Sequence, residues 1–187
     1  MSFLNAIPNL VIMAPKNFKE LEDMLDFAIK LNKPVFIRYP RGVEEYSHNK
    51  NNKIEFGKAE IIKEGKDLTI IAIGKMVNKA YRIAKVLEKE KIYCEVINAR
   101  FLKPLDENLI FESLKKTKRA ITIEDGILSG GIGESVIKLC NKKNINIQIK
   151  TFGYEDCFIE HGSNDKLEEK YISDDKIIKE IKNSFTR

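Results

Sequence analysis

The chain has 187 residues, 43% of them apolar and 33% charged, with 33 Lys and Arg against 28 Asp and Glu for a net charge of +5. That apolar share excludes an intrinsically disordered chain, and the length suits one domain, or one domain with a further piece. No run approaches the roughly 18 apolar residues of a membrane span, and residues 1–5 carry neither the basic stretch nor the cleavage site of a secretory leader.

In chain order, residues 10–14 form a short apolar run of strand type that Pro15 stops. Asn17 with Glu20 three positions on makes a capping arrangement. Leu21, Met24, Leu25 and Ala28 then recur at helical spacing, which predicts a helix over 18–31. Asn32, Lys33 and Pro34 break it, and 35–39 reads as a second strand, parallel to the first through a right-handed crossover. Residues 42–52, with His48 among them, are polar and aperiodic; they read as a linker or long exposed loop and place the domain boundary. A lone strand–helix–strand unit leaves apolar surface open, so residues 1–56 are expected to be partly mobile or to pack against a partner chain.

Beyond the linker, strands at 68–73 (closed by Gly74), 92–97, 120–124 and 145–150 alternate with helices. Val77, Ala80, Ala84 and Leu87 mark one helix face. Pro104 is expected to open a second helix that carries Leu105, Leu109, Ile110 and Leu114 inward. A glycine-rich turn leads into a third helix at about 133–139, and Ile177, Ile178, Ile181 and Phe185 mark a terminal one. This alternation predicts an α/β fold whose mostly parallel sheet carries helices on both faces.

Of the 33 cations only six are Arg, and the lysines interleave with acids, as over 85–91. That is the pattern of a solvated face, so neither a nucleic-acid nor a membrane partner is expected. The three cysteines, Cys94, Cys140 and Cys157, form no CxxC pair, which argues against a disulfide scaffold and fits a reducing cytoplasm. With two histidines and no HExxH spacing, no metal site is expected.

Three segments could carry chemistry. Arg38, Tyr39, Pro40, Arg41 and Gly42 stand at the carboxyl end of a predicted parallel strand, where open α/β sheets bind ligands. Pro40 fixes its own backbone, and a guanidinium fork matches the oxygens of a phosphate or carboxylate. The alternative is that both arginines make surface or interdomain salt bridges. Glu124, Asp125 and Gly126, followed by Gly130, Gly131 and Gly133, could form a phosphate-binding turn or an acid/base pair. The turn lacks the third glycine of a dinucleotide fingerprint and the Gly-Lys-Ser/Thr of a P-loop, and Glu134 would repel an anion, so close backbone packing is the favoured role. Cys157 and His161 stand four apart as a nucleophile pair would, but the apolar residues between them read as a segment packed on the sheet.

Together these stretches resemble one family, the 1-deoxy-D-xylulose-5-phosphate synthases of the transketolase group of thiamine-diphosphate enzymes. The likeness rests on residues 7–15, the Arg38–Gly42 turn, residues 100–106 (Arg-Phe-Leu-Lys-Pro-Leu-Asp), residues 124–126 with 130–133, and residues 158–163. It implies that residues 1–56 are the tail of a pyrimidine-binding domain plus linker, and that 57–187 form a transketolase C-terminal domain. It implies a cytoplasmic homodimer that condenses pyruvate, decarboxylated on the thiamine ylid, with glyceraldehyde 3-phosphate. The product feeds isoprenoid, thiamine and pyridoxal synthesis. Arg41 would hold the aldehyde's phosphate, with Arg38 and Tyr39 in support.

The chain departs from the family by omission. It has no Gly-Asp-Gly motif with its downstream asparagines, so the anchor for Mg²⁺ and the diphosphate is missing. Glu124, Asp125 and Gly126 begin with the wrong residue, and Asn141 and Asn144 do not supply the pair. The groups that activate thiamine diphosphate belong to sequence ahead of Met1. The chain alone is therefore expected to be inert, to hold neither thiamine diphosphate nor Mg²⁺, and to contribute phosphate binding and dimer contacts. Two other classes fit the same segments: a pure association module, and the β-subunit-type domain of a 2-oxoacid dehydrogenase.

Overall fold

The computed structural model describes residues 1–40 and 53–185. Its apolar runs collect into two sheets. The larger has five strands: β3 (Glu60–Lys63), β4 (Leu68–Ala72), β5 (Cys94–Asn98), β7 (Arg119–Ile127) and β8 (Gln148–Tyr154), in the order β3-β5-β4-β7-β8. β4, β5, β7 and β8 run parallel, and β3 closes one edge antiparallel to β5. Every residue of β4 and β5 is buried, because a parallel strand with helices on both sides has no wet face.

Helices cover both faces. α2 (Met76–Lys89) packs with α6 (Asp174–Phe185) on one side, burying Met76, Val77, Ala80, Ile83, Ala84 and Leu87 with Ile177 and Ile181. α3 (Glu107–Thr117) and α4 (Ile132–Lys142) pack on the other, where Ile110, Leu114, Val136 and Leu139 meet Ile71, Ile73 and Ile97.

The smaller sheet, in the order β2-β1-β6, joins β1 (Val11–Met13) and β2 (Val35–Ile37) to β6 (Phe101–Lys103). α1 (Phe18–Lys30) connects the parallel pair, and Asn17 Oδ1 accepts the Glu20 amide at 2.7 Å, which is the cap the sequence signals. β6 lies antiparallel to β1, so the N-terminal unit is paired to the rest of the same chain. Met24, Val11, Met13 and Phe101 form a core of their own, with Phe27 and Phe56 set edge-on to Phe101.

A buried ionic joint fastens this unit to the rest. Glu20 accepts from Arg100 Nε at 2.8 Å and from Asn98 Nδ2 at 3.0 Å. Glu60 meets Lys16 Nζ at 2.6 Å and Arg100 at 3.0 Å, and Lys16 also reaches Glu20 at 3.3 Å. Two cations face two carboxylates with all four side chains nearly free of solvent. Such a set is tolerable only while every charge is matched, since removing one partner of a buried pair typically costs about 3–5 kcal/mol.

Four local readings are corrected. Pro104 does not open α3: it follows a cis Lys103–Pro104 bond, and Asp106 caps the helix by accepting the Leu109 amide at 3.2 Å. Strand β6 occupies the ground just before it. The last strand starts at Gln148 instead of 145, because the Ile145 amide still bonds the Cys140 carbonyl at the end of α4. The antiparallel edge β3 and the helix α5 (Asn164–Ile172) were not expected at all. Finally, the 157–163 segment does not pack on the sheet: Cys157 is exposed and Phe158 stands wholly in solvent.

Candidate functional site

The carboxyl ends of β1, β2, β4 and β7 come together where the two sheets meet. The Arg38 amide bonds the Met13 carbonyl at 2.9 Å, which places Arg38 at the end of β2 beside the end of β1. Gly74, with φ +63°, turns the chain after β4, and a Cβ on it would approach Ala14 to 3.3 Å. The residue that follows, Lys75, is thereby brought opposite Asp125 on β7.

An alternating row of charges runs along this junction. Asp125 Oδ2 accepts from Arg38 at 3.0 Å and lies 3.3 Å from Lys75 Nζ. Lys75 also pairs with Glu168 of α5, and Lys79 joins Glu168 at 3.6 Å to Asp174 at 2.7 Å. Burial alone would lower the Lys75 ammonium's pKa, but Glu168 and Asp125 outweigh it and hold the group above its ordinary value. Tyr154, at the end of β8, lies near Asp125 and Glu168. Burial first, then the charges of Asp125 and Glu168, push its phenol up to about 12. Lys75 is thus held as a cation and Tyr154 as a neutral hydroxyl.

Beside this row the glycine-rich turn takes a different role from an anion cradle. The Glu124 carboxylate accepts the Ile132 and Gly133 amides, each at 3.2 Å, and so occupies the N-terminus of α4 itself. A Cβ on Gly131 would fall 2.1 Å from a Glu124 oxygen, so glycine there is a matter of space. Glu134 folds back to the Gly130 amide at 2.8 Å. Burial dominates at Glu124 and pushes its carboxyl up to about 7, against the two amides that favour the charged form.

The residues singled out from sequence are therefore brought together only in part. Arg38 is an ion-pair residue between the two units, the alternative weighed for it, and Tyr39 is exposed. Arg41, Gly42 and His48 lie outside the described residues. Asp125 joins this row and Glu124 caps α4 beside it, whereas Cys157 and His161 are exposed on the loop after β8. Sequence reasoning missed Lys75, Glu168 and Tyr154. For Lys75 the signal was present, a lysine directly after a glycine at a strand end. For Glu168 there was none, since it reaches the row from 93 positions away.

The described residues do not fit a diphosphate-bound cofactor. Among them no group of three or more His, Cys, Asp or Glu side chains is placed to hold a metal ion. The glycine-bounded helix end that could receive a diphosphate is filled by the Glu124 carboxylate. No step through thiamine diphosphate is derived from these residues.

Comparison with known proteins places this architecture. Residues 57–178 match the family described as transketolase, C-terminal domain. A 1-deoxy-D-xylulose-5-phosphate synthase of Halothermothrix orenii is 44% identical over 182 residues, which is 95% of this chain and 28% of that protein. The synonymous enzyme of Caldanaerobacter subterraneus is 40% identical over 95% of this chain and 29% of that protein. The chain thus spans under a third of the length of these curated relatives. Among solved structures, one titled a split gene transketolase, inactive beta4 tetramer, superposes with a TM-score of 0.92 and 29% identity, covering 99% of this chain and 61% of that one. Campylobacter jejuni transketolase, 22% identical with a TM-score of 0.71, shares the fold.

Proposed function

The chain belongs to the transketolase C-terminal domain family, and from that premise we propose that it is the C-terminal part of a 1-deoxy-D-xylulose-5-phosphate synthase. In this reading it presents the turn that binds the phosphate of glyceraldehyde 3-phosphate, and the thiamine chemistry resides on other polypeptide. The observation that carries the reading is the end of β2. Asp125, itself paired to Lys75, fixes Arg38 three residues before Arg41, at the carboxyl ends of parallel strands where such sheets bind ligands. Arg38 acts by holding the turn; Tyr39 lies exposed on it; Arg41 supplies the guanidinium fork for the phosphate.

In the whole enzyme thiamine diphosphate with Mg²⁺ would supply the carbanion that attacks the aldehyde. What this chain would contribute is orientation, by gripping the aldehyde's far end and so placing its carbonyl. The setting would be a cytoplasmic homodimer in isoprenoid-precursor and thiamine biosynthesis.

The test is kinetic. The chain alone, given pyruvate, glyceraldehyde 3-phosphate, thiamine diphosphate and Mg²⁺, is expected to show no turnover. In an active full-length context Arg41→Ala should raise KM for the phosphorylated aldehyde more than tenfold and leave KM for pyruvate unchanged, since losing a charge-assisted contact costs on the order of 1.5–3 kcal/mol. An unchanged KM removes Arg41 from the site.

The similarity to the split-gene structure favours a second reading, self-association of the chain without catalysis. Light scattering on the purified chain separates them: a stable oligomer supports a retained interface, and a strict monomer opposes it.

A further inference from the structure

The face of the larger sheet that α6 covers changes character along two neighbouring strands. On β7 and β8, Ile121, Ile123 and Phe152 pack into the apolar core beneath α2 and α6, and Tyr154 packs against it. Strand alternation sends Arg119, Gln148 and Lys150 to the same face, nearer the amino ends. Arg119 and Gln148 stand side by side in register, and Lys150 follows two positions on. Over them lies the end of α6, where Glu180, Asn183 and Ser184 share one side of the helix.

These six side chains line a cleft of about 460 Å³, within the roughly 300–1,000 Å³ usual for small-molecule sites. Such sites are ordinarily apolar in most of their lining, and this lining holds no apolar side chain. An acyl chain or an aromatic base would find no apolar surface to bury against. The walls offer instead two cations, one carboxylate, two amides and a hydroxyl. Their excess of one positive charge favours an anion, and a guanidinium meets phosphate or carboxylate oxygens in pairs.

Lys150 pairs with Glu180, but both side chains are about two-fifths exposed, and a wet pair of this kind keeps little net energy. A bound anion can therefore take Lys150 over and leave Glu180 to accept from the ligand's hydroxyls. Gln148 and Asn183 can both donate to hydroxyls and accept from them. Ser184 Oγ donates to the Ile181 carbonyl at 2.6 Å, which leaves its oxygen to accept. Arg119 stands six residues before Asp125 on β7, and at about 3.3 Å per residue that is roughly 20 Å from the Asp125 row.

We propose that this cleft is a second ligand site, at the opposite end of the sheet from the Asp125 row, and that it binds a small polyhydroxylated anion. The ligand is a sugar phosphate or a sugar acid, its charged end held by Arg119 and Lys150 and its hydroxyls by the remaining walls. The site is separate from the phosphate turn at Arg41 and does not depend on it.

The test uses the purified full chain, with its amide resonances followed by NMR. Ribose 5-phosphate and gluconate are the probes, one for each source of the charge; ribose and inorganic phosphate are the controls. At least one probe should shift the amides of Arg119, Gln148, Lys150 and Asn183 and saturate below about 10 mM. Both controls should bind at least about tenfold more weakly. Arg119→Met with Lys150→Met, checked for folding by circular dichroism, should weaken binding by about tenfold or more. Lys150→Met alone, at a side chain 37% exposed, supplies the same comparison should the double variant not fold. Neither probe shifting these amides overturns the inference, as does equal affinity in a folded variant or inorganic phosphate binding as tightly as the probes. Shifts confined to residues 38–42 and abolished by Arg41→Ala overturn it too, while supporting the phosphate turn. Saturable shifts at the cleft that Arg41→Ala leaves unchanged support the second site whatever becomes of the turn.

Discussion

Two clusters of charged side chains tie the N-terminal unit to the rest of the chain, and they differ in their contact with water. In the joint, Lys16, Glu20, Glu60 and Arg100 are almost completely dry, and Asn98 Nδ2 donates to both oxygens of Glu20. In the Asp125 row, Arg38 and Lys75 are about a third and a quarter exposed, and the row runs on through Glu168. The same residue types serve different ends. A desolvated, fully matched set locks one arrangement of the two sheets, because any slip strands a charge. A half-wet row keeps little net energy per pair, so its partners can exchange one another for a ligand at small cost.

The contrast breaks most sharply at the joint. Arg100→Ala leaves Glu20 and Glu60 facing one lysine, and is expected to cost about 3–5 kcal/mol, read as a fall in the urea midpoint. An effect below about 1 kcal/mol would mean that the joint is wet.

Next in size is the pH response of Glu124. Its carboxyl is raised in the folded state, to about 7, so the folded chain keeps a proton that the unfolded chain gives up. Its stabilising contribution is complete below the unfolded value near 4.5 and is lost as pH rises through about 7. The stability difference between wild type and Glu124→Gln should therefore decline between those limits, by an amount on the order of 3 kcal/mol. A difference flat in pH would show that Glu124 ionises normally.

Gly131→Ala comes third. The new methyl meets the Glu124 carboxylate, and overpacking of this kind costs about 1–3 kcal/mol, seen as a thermal midpoint lowered by roughly 2–4 °C per kcal/mol. The smallest effect belongs to the Asp125 row. Asp125→Asn should change stability by less than about 1 kcal/mol, and the change should shrink further in high salt. A loss as large as that at Arg100 would erase the distinction between the two clusters.

Much of the fold was legible from residues alone. The cap at Asn17, the apolar run 68–73 and the period of Val77, Ala80, Ala84 and Leu87 each state a local preference that the packed molecule keeps. The misreadings fall where a preference is weak or ambiguous. Pro104 is compatible with a first helical turn, but Asp106 offers a better cap and takes it. Residues 60–63 alternate too briefly to mark a strand, and they become one because β5 offers an open edge. Phe158 and Ile159 read as buried by composition, yet among the described residues no element comes to cover Phe158.

The candidate site was legible in its location and not in its partners. The strand that ends before Arg38, the glycine-rich turn and the alternation of strands and helices follow from sequence alone, because each depends on neighbours within a few positions. That Arg38 meets Asp125, that Lys75 reaches Glu168, and that Arg100 answers Glu20 across 80 positions was decided only by tertiary packing. The reason is physical: a charge carries no address along the chain, and which opposite charge it meets is set by how two apolar sheets bury each other.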